Sequence, residues 1–225
     1  MGVVRMGPPA ELITKLKETF GIKRFIETGT YRGDTAYWAS RLFPFVTTIE
    51  YSTPIYEKAV EKYGRIQNID FIFGDSRQVL QTIAQELNEG CIFWLDSHWI
   101  GGESYGKDGE CTLLEELSII AQSKYDHFIF IDDARLFTSP PPPPHKADQW
   151  PDISSVLNAL NQQSKYTVII EDVIISIPVF AKGLLVKYCQ DINELMWIKT
   201  SEAIPKLQDG IKLVMNGLRQ LLTNK

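Results

Sequence analysis

The chain contains 225 residues, of which 28 are acidic and 23 are basic, so its formal net charge is −5. This length is typical of one large domain, or of one domain with an extension. Hydrophobic residues make up 44% of the chain and charged residues 23%. This balance supplies apolar surface for a full core, and it excludes a disordered chain or a disulfide-stapled miniprotein. The acidic excess argues against nucleic-acid binding, because that function needs a basic face.

The sequence shows no feature of a membrane or secreted protein. No apolar run is long enough to span a bilayer, and the first residues lack the apolar stretch of a signal peptide. Cys91, Cys111 and Cys189 are an odd number of cysteines without a close pair, which is typical of reduced, buried thiols. We therefore expect a cytoplasmic protein without membrane or nucleic-acid partners.

Two hydrophobic periods alternate along the chain. Short apolar runs typical of buried strands occupy residues 24–27, 45–49, 69–73, 91–95 and 127–131. Amphipathic stretches typical of helices occupy residues 34–42, 78–87, 113–121 and 153–160, with a further one from residue 53 onward. Asp34 is a candidate N-cap for the first helix, and Ser52 or Thr53 for the second. The alternation predicts βαβ units and an α/β fold with a mainly parallel sheet.

The C-terminal half adds three further features. Residues 140–144 are consecutive prolines, which predicts a stiff polyproline spacer. Residues 166–188 predict two or three strands, with a reversal near Glu171 and Asp172. Residues 204–222 have apolar side chains at helical spacing, so this tail should pack on the domain or on a partner chain, as in a homodimer. We expect one domain over 1–225, with a core at about 20–190 and a helical extension at 191–225.

Acidic side chains follow all five of the predicted apolar strands. They are Glu27, Glu50, Asp75, Asp96 and the pair Asp132-Asp133. In a doubly wound sheet, ligands bind outside the carboxyl ends of the strands. Carboxylates gathered there repel one another unless a ligand, a cation or hydrogen-bond donors offset their charge. The pattern indicates a functional site at this edge, although Asp34 and Asp75 could serve only as helix caps.

Two phosphate-binding motifs are incomplete. The turn after the first strand has Gly29 and Gly33, but Tyr31 replaces the middle glycine that a dinucleotide pyrophosphate needs. Residues 101–108 come within one residue of a P-loop, but Asp108 stands where the Mg²⁺-binding hydroxyl belongs. An adenosine cofactor without phosphates fits better, because Glu50 lies 23 residues after Glu27 and can hold ribose hydroxyls.

The segment Glu27-Thr28-Gly29-Thr30-Tyr31-Arg32-Gly33 resembles the E-x-G-x-G-x-G motif of class I S-adenosylmethionine-dependent methyltransferases. In the same resemblance, which runs from residue 24 to about 135, Glu50 matches the ribose-binding acid and Gly74-Asp75-Ser76 the adenine-side segment. The resemblance implies a doubly wound, Rossmann-like sheet of seven strands in the order 3-2-1-4-5-7-6, the last strand antiparallel. It also implies that S-adenosylmethionine contacts Glu27, Thr28, Gly29, Thr30, Tyr31, Gly33, Thr35, Glu50, Tyr51, Gly74, Asp75, Ser76 and Asp96.

The strand ends Leu95-Asp96-Ser97-His98 and Ile131-Asp132-Asp133 resemble those of metal-dependent, macrocin-type O-methyltransferases. This resemblance implies a Mg²⁺ or Mn²⁺ site at Asp96, Asp132 and Asp133, and carboxylates suit such hard cations. His98 stands where that pattern usually has a second acid. It is a candidate base for a substrate hydroxyl, a candidate metal ligand or a structural histidine.

Aromatic side chains near these motifs are candidates for an acceptor pocket or for the core: Trp94, Trp99, Tyr105, Phe137 and Trp150. The loops at 101–109 and 139–150 are candidate lids, whereas His127 and His145 show no constellation. The sequence thus predicts a methyltransferase that O-methylates a small molecule such as a natural product or a sugar, with Asp96 and His98 as catalytic residues. A non-catalytic nucleoside- or glycan-binding module and an NAD-dependent oxidoreductase are the alternatives.

Overall fold

The computed structural model describes residues 7–98, 109–161 and 164–223. The chain divides into two compact units, Met1–Lys182 and Gly183–Lys225. The first unit contains the whole sheet. Helix α8, Lys182–Thr223, runs through the described part of the second unit. The tail at 204–222 is therefore helical, as its spacing predicts. Within the described residues, we find no helix that combines the length and the apolar character needed to cross a membrane.

The sheet has seven strands in the order β3-β2-β1-β4-β5-β7-β6. Strands β1 to β5 pair in parallel, whereas β7 runs antiparallel to both β5 and β6. This confirms the predicted fold class, strand order and antiparallel last strand. The strands are β1 Arg24–Thr28, β2 Phe45–Glu50, β3 Ile69–Phe73, β4 Ile92–Leu95, β5 Phe128–Ile131, β6 Lys165–Ile170 and β7 Val173–Pro178.

The central strands form because they are apolar on both faces. Every residue of β4 and β5 is buried, as expected for parallel strands covered by helices on each side. Trp94 is fully buried, as expected for a packing residue of the core. The remaining helices are α1 Ala10–Phe20, α2 Asp34–Ser40, α3 Thr53–Tyr63, α4 Ser76–Glu86, α5 Leu113–Ala121, α6 Arg135–Thr138 and α7 Ile153–Leu160.

The helix caps differ in part from the prediction. Asp34 is the first residue of α2, and Gly33 is its N-cap. The Asp34 carboxylate instead accepts hydrogen bonds from Lys62 Nζ at 2.7 Å and from Tyr63 Oη at 2.6 Å. Asp75 does cap α4, because its carboxylate accepts a hydrogen bond from the backbone N–H of Arg77.

Two predictions for the C-terminal half were wrong in extent. Strands occupy only Lys165–Pro178, and the chain is helical again from Lys182. The predicted reversal is confirmed: Glu171 and Asp172 have positive φ angles of 50° and 68°, as a two-residue hairpin turn requires. The proline run is not one continuous polyproline helix. The chain turns at Pro143 and Pro144, where His145 N–H donates to the carbonyl of Pro142.

Cys91, Cys111 and Cys189 are not joined by disulfides, in agreement with the predicted reduced state. Cys91 is buried, whereas Cys111 and Cys189 are only half-buried. Burial raises the pKa of the Cys91 and Cys111 thiols to about 12, so neither thiol has the character of a nucleophile.

Gly29 lets the end of β1 approach β4 closely. Its φ is 86°, and a Cβ atom at this position would lie 2.2 Å from the carbonyl oxygen of Asp96. That distance is shorter than any contact real side chains make, and the atom it meets is backbone. The glycine is therefore required where the polar ends of β1 and β4 meet.

We predict that Gly29→Ala lowers the free energy of unfolding by roughly 2–5 kcal/mol, because strain at positive φ and overpacking add. Gly21→Ala is the matched control, since Gly21 also has a positive φ, of 65°, but nothing lies within 4 Å of its added Cβ. It should cost only about 1–2 kcal/mol. Equal losses for the two variants in denaturant titrations would contradict the proposed clash.

Candidate active site

A cavity of about 310 Å³ opens at the carboxyl ends of the parallel strands. It brings together most of the residues that the sequence nominates, and it adds Ile49, Ile55, Ser97 and Arg135. The nominated residues that line it are Gly29, Tyr31, Glu50, Tyr51, Gly74, Asp75, Ser76, Asp96, His98, Asp132 and Asp133.

Glu27 is not part of the lining of this cavity. Its carboxyl is buried and accepts a hydrogen bond of 2.6 Å from Thr48 Oγ1, which in turn is 2.6 Å from Thr30 Oγ1. Burial raises the pKa of Glu27 well above its ordinary value, although the bond from Thr48 opposes this shift. The nominated residues Thr28, Thr30, Gly33 and Thr35 are also absent from the lining.

Glu50 holds the turn after β1 in place. Its two carboxylate oxygens accept the backbone N–H of Tyr31 at 3.0 Å and that of Ser52 at 2.9 Å. Burial raises its pKa above the ordinary value despite these bonds. Each oxygen of a carboxylate can accept two hydrogen bonds, so Glu50 retains the capacity to accept from a ligand in the cavity that it lines.

Tyr31 stands at the position of the missing middle glycine. It adopts a left-handed backbone conformation with φ of 47°, so the turn keeps a glycine-like path, with its N–H fixed by Glu50. The side chain is 47% exposed, and the guanidinium of Arg32 lies 5.2 Å from its ring centre. The substitution leaves the backbone of the turn in place and adds an aromatic wall to the cavity.

Asp96, His98 and Asp133 form a compact cluster at the other end of the cavity. Each offers one ligand atom, and these atoms all lie within 4.8 Å of one another. His98 Nε2 is 2.7 Å from Asp133 Oδ2 and 3.7 Å from Asp96 Oδ1. A carboxylate can only accept, so the shorter contact places a proton on Nε2.

Asp132 lines the cavity but lies outside this cluster. One of its oxygens accepts the backbone N–H of Asp133 at 2.8 Å, and Asp133 itself has a positive φ of 55°. The structure thus brings His98 to Asp96 and Asp133, whereas the macrocin-type pattern implies Asp132 as the third ligand.

The electrostatics of the cluster follow from its excess of acids. Burial raises the pKa of Asp96 to about 8, with Asp132 and Asp133 adding to the shift and His98 opposing it. Burial and the neighbouring Asp133 raise the pKa of Asp132 to about 6. Burial alone would lower the pKa of His98, but the bond to Asp133 and the nearby acids outweigh it and raise the pKa. The site holds a proton where a cation would also fit.

Arg135 and Asp172 hold the segment that carries Asp133 in place, and the sequence pattern did not nominate either of them as a site residue. Arg135 Nη1 lies 2.7 Å from Asp133 Oδ1 and also pairs with Asp172 Oδ2. The backbone N–H of Arg135 donates to Asp172 Oδ1 at 2.8 Å. The β6–β7 turn therefore anchors the segment that carries Asp133. Burial raises the pKa of Asp133, but the hydrogen bond and charge of His98, together with Arg135, outweigh burial and hold this pKa below its ordinary value.

Glu116 is a second buried acid that the sequence analysis missed. It accepts hydrogen bonds from Ser97 Oγ at 2.5 Å, Thr112 Oγ1 at 3.1 Å and Thr28 Oγ1 at 3.3 Å. Burial raises its pKa, although the hydroxyl donors oppose the shift. The signal was present, because Glu116 shares the core-facing side of α5 with Leu113, Leu117 and Ile120, where an acid is unexpected.

The candidate lids differ in what the structure describes. The loop at 101–109 lies outside the described residues except for Gly109, as do Trp99 and Tyr105. The loop at 139–150 packs against the site. Phe137 and Trp150 are buried, with their ring centres 5.6 Å apart. His145, in this loop, lies 3.3 Å from Glu110.

His127 lies away from the loops, and burial lowers the pKa of its imidazole to about 4.

No family model matches this sequence, and neither does any curated protein. Solved methyltransferase structures have the same fold. A Staphylococcus aureus protein described provisionally as a caffeoyl-CoA O-methyltransferase is 15% identical with a TM-score of 0.54, over 78% of this chain and 86% of that chain. A Klebsiella pneumoniae protein described provisionally as an O-methyltransferase is 13% identical with a TM-score of 0.53, and the match covers 78% of this chain and 82% of that chain. A Streptococcus mutans protein is described provisionally as a methyltransferase and was solved with S-adenosylhomocysteine. It is 15% identical with a TM-score of 0.51, and the match covers 77% of this chain and 99% of that chain. The chain has the Rossmann-like fold of these proteins.

We predict that Glu116→Gln makes stability less dependent on pH. The folded protein keeps a proton on Glu116 that the unfolded chain releases above about pH 4.5. The free energy of unfolding therefore falls as pH rises from there toward the raised pKa, by at most about 1.4 kcal/mol per pH unit. Glutamine is neutral at every pH, so the variant lacks this pH-dependent loss of stability. Its free energy of unfolding should therefore rise relative to that of wild type as pH rises.

Urea titrations across this pH range test the point. Glu115→Gln is the matched control, because Glu115 is the neighbouring acid on α5 and is exposed. The control should follow the wild-type pH profile. Parallel profiles for Glu116→Gln and wild type would contradict a protonated Glu116.

Proposed function

We propose that the protein is an S-adenosylmethionine-dependent methyltransferase that transfers a methyl group to a hydroxyl of a small molecule. The observation that carries the proposal is one cavity that joins Glu50 to the cluster of Asp96, His98 and Asp133. The methyltransferase fold supports the same function, because it places this cavity at the carboxyl edge of the sheet, where such folds bind ligands.

The residues at the first end of the cavity fit the cofactor. Gly29 provides close backbone approach, and Glu50 provides hydrogen-bond acceptors for the two ribose hydroxyls. Gly74, Asp75 and Ser76 line the same cavity next to Glu50 and would hold the adenine side. When bound, S-adenosylmethionine supplies a methyl group already activated by its sulfonium charge, and the acidic lining favours that positive charge.

The residues at the second end fit a divalent cation. Asp96 and Asp133 offer carboxylate oxygens, which Mg²⁺ and Mn²⁺ prefer, and His98 offers an imidazole nitrogen within the same 4.8 Å. A cation held there would lower the pKa of an acceptor hydroxyl. A cation bound there would displace the proton that the raised pKa of Asp96 keeps on this half-buried acid, and its charge would offset the repulsion among the three aspartates.

The protein's own residues supply orientation and a proton acceptor. Nε2 of His98 already carries the proton that Asp133 Oδ2 accepts, so His98 would take the hydroxyl proton at Nδ1. The resulting imidazolium would be stabilised by Asp133 and by Asp96 Oδ1, 3.7 Å from Nε2. Asp133 in turn is fixed by Arg135. A cation held by Nε2 would replace its proton, and the neutral ring would then carry its proton on Nδ1, so the two roles of His98 exclude each other and are separable by experiment.

We predict that Glu50→Gln weakens the binding of S-adenosylhomocysteine by at least about tenfold, because a charged acceptor for hydroxyl donors is lost. Glutamine retains one oxygen, which can still accept one of the two backbone N–H groups that Glu50 holds. Glu57→Gln, on the exposed face of α3, should bind like wild type. Isothermal calorimetry gives the three affinities, and an unchanged Kd for Glu50→Gln would contradict the cofactor assignment.

The cation is tested separately with Mn²⁺ and electron paramagnetic resonance. We expect wild type to bind Mn²⁺ and Asp133→Asn to bind it at least about tenfold more weakly, because one ligand loses its charge. Asp70→Asn, an exposed position on β3, is the control. If wild type binds no Mn²⁺, or if all three proteins bind it equally, the cation role fails and His98 remains as the base.

A further inference from the structure

Glu110 is a buried carboxylate outside the cavity. Only 2% of its surface is exposed, and four contacts from residues 145–150 surround it. Its oxygens accept Trp150 Nε1–H at 2.7 Å and the backbone N–H of Lys146 at 3.1 Å, and His145 Nδ1 lies 3.3 Å away. The backbone N–H of Glu110 itself donates to Gln149 Oε1 at 3.2 Å.

These contacts hold the loop at 139–150 against Glu110. A buried carboxylate without donors is strongly unfavourable, so the loop that supplies the donors and the acid that receives them stabilise each other. Burial raises the pKa of Glu110, but the bonds from Trp150, Lys146 and His145 outweigh that effect and lower it. Glu110 is therefore an anion at neutral pH, and its bonds are charge-assisted.

Trp150 connects this carboxylate to the catalytic cluster. Its ring lies 5.3 Å from the imidazole of His98, centre to centre, at an interplanar angle of 63°. The indole N–H is held by Glu110, so the ring has little freedom to turn away. His98 also forms an isolated β-bridge with Cys111, the residue after Glu110. Glu110 and Cys111 thus contact both the backbone of His98 and the aromatic ring that packs against its side chain.

We propose that Glu110 is a positioning residue for His98, acting through Trp150. Glu110 fixes the indole, and the indole keeps water away from the imidazole and holds it against Asp133. On this account, the loop at 139–150 is a fixed support that packs against His98 from outside the cavity. That this placement serves catalysis rests on the proposed function; the placement itself does not.

The test measures how fast diethylpyrocarbonate modifies each histidine at one fixed pH, followed by peptide mass spectrometry. Trp150 covers His98, so wild type should react slowly there. Glu110→Gln and Trp150→Phe should each raise the rate at His98 by about tenfold, the factor expected when a hydrogen bond to a buried charge is lost. Glu115→Gln, the exposed neighbour on α5, should leave it unchanged.

Two features separate positioning from general loss of stability. His127 is fully buried just before β5, bonded to Ser123 and to the backbone of Cys91, so its rate reports global unfolding and should stay constant. The double variant Glu110→Gln/Trp150→Phe should react at His98 no faster than the faster single variant, because Glu110 acts through Trp150.

Three results would overturn the proposal: an unchanged His98 rate in Glu110→Gln, equal increases at His98 and His127, or effects that multiply in the double variant. The same samples are titrated with S-adenosylhomocysteine, which all variants should bind like wild type, because neither Glu110 nor Trp150 lines the cavity. Wild type that fails to bind this compound, with His98 rates as expected, would refute the proposed function and leave the positioning role intact.

Discussion

The concentration of acidic side chains at one edge of a parallel sheet is the constraint on which the site depends. Glu50, Asp96, Asp132 and Asp133 line one cavity, and Glu27 is buried outside its lining. Like charges at this separation in a partly dry environment cannot all be ionised without compensation. The protein compensates in three ways: protons retained on buried acids, a histidine and an arginine among the carboxylates, and backbone N–H donors.

Each compensation has a separate structural cause. Glu27 and Glu116 accept hydrogen bonds from hydroxyl groups, and burial raises the pKa of both carboxyls, so both hold a proton to higher pH than an exposed glutamate does. Glu50 is held by two backbone N–H groups of the turns on either side. Asp133 is paired with both His98 and Arg135. What remains is an acidic cavity whose electrostatics favour a positively charged ligand at both ends.

The sequence predicted the features that depend on local pattern. Hydrophobic periodicity located the five parallel strands, and the acids that follow them were nominated because parallel strands end at the same edge. Side-chain contacts between residues far apart in the sequence leave no such local pattern. Arg135 and Asp172 are 37 positions apart, and Glu110 and Trp150 are 40 apart, so only the folded chain reveals them. The choice between Asp132 and His98 as the third member of the cluster was also beyond the sequence pattern. It depends on the backbone conformation at Asp133, which has a positive φ. The strand pattern also failed after Ala181, where apolar residues at 184–188 fit a helix as well as a strand.

The most direct measurement of the central claim is a crystal structure of the full chain with S-adenosylhomocysteine. The account predicts the ligand in the cavity, with its ribose hydroxyls on Glu50 and its sulfur toward Asp96, His98 and Asp133. Ligand bound elsewhere, or bound in the cavity with the sulfur away from this cluster, would contradict the proposal that the cluster is the site of methyl transfer.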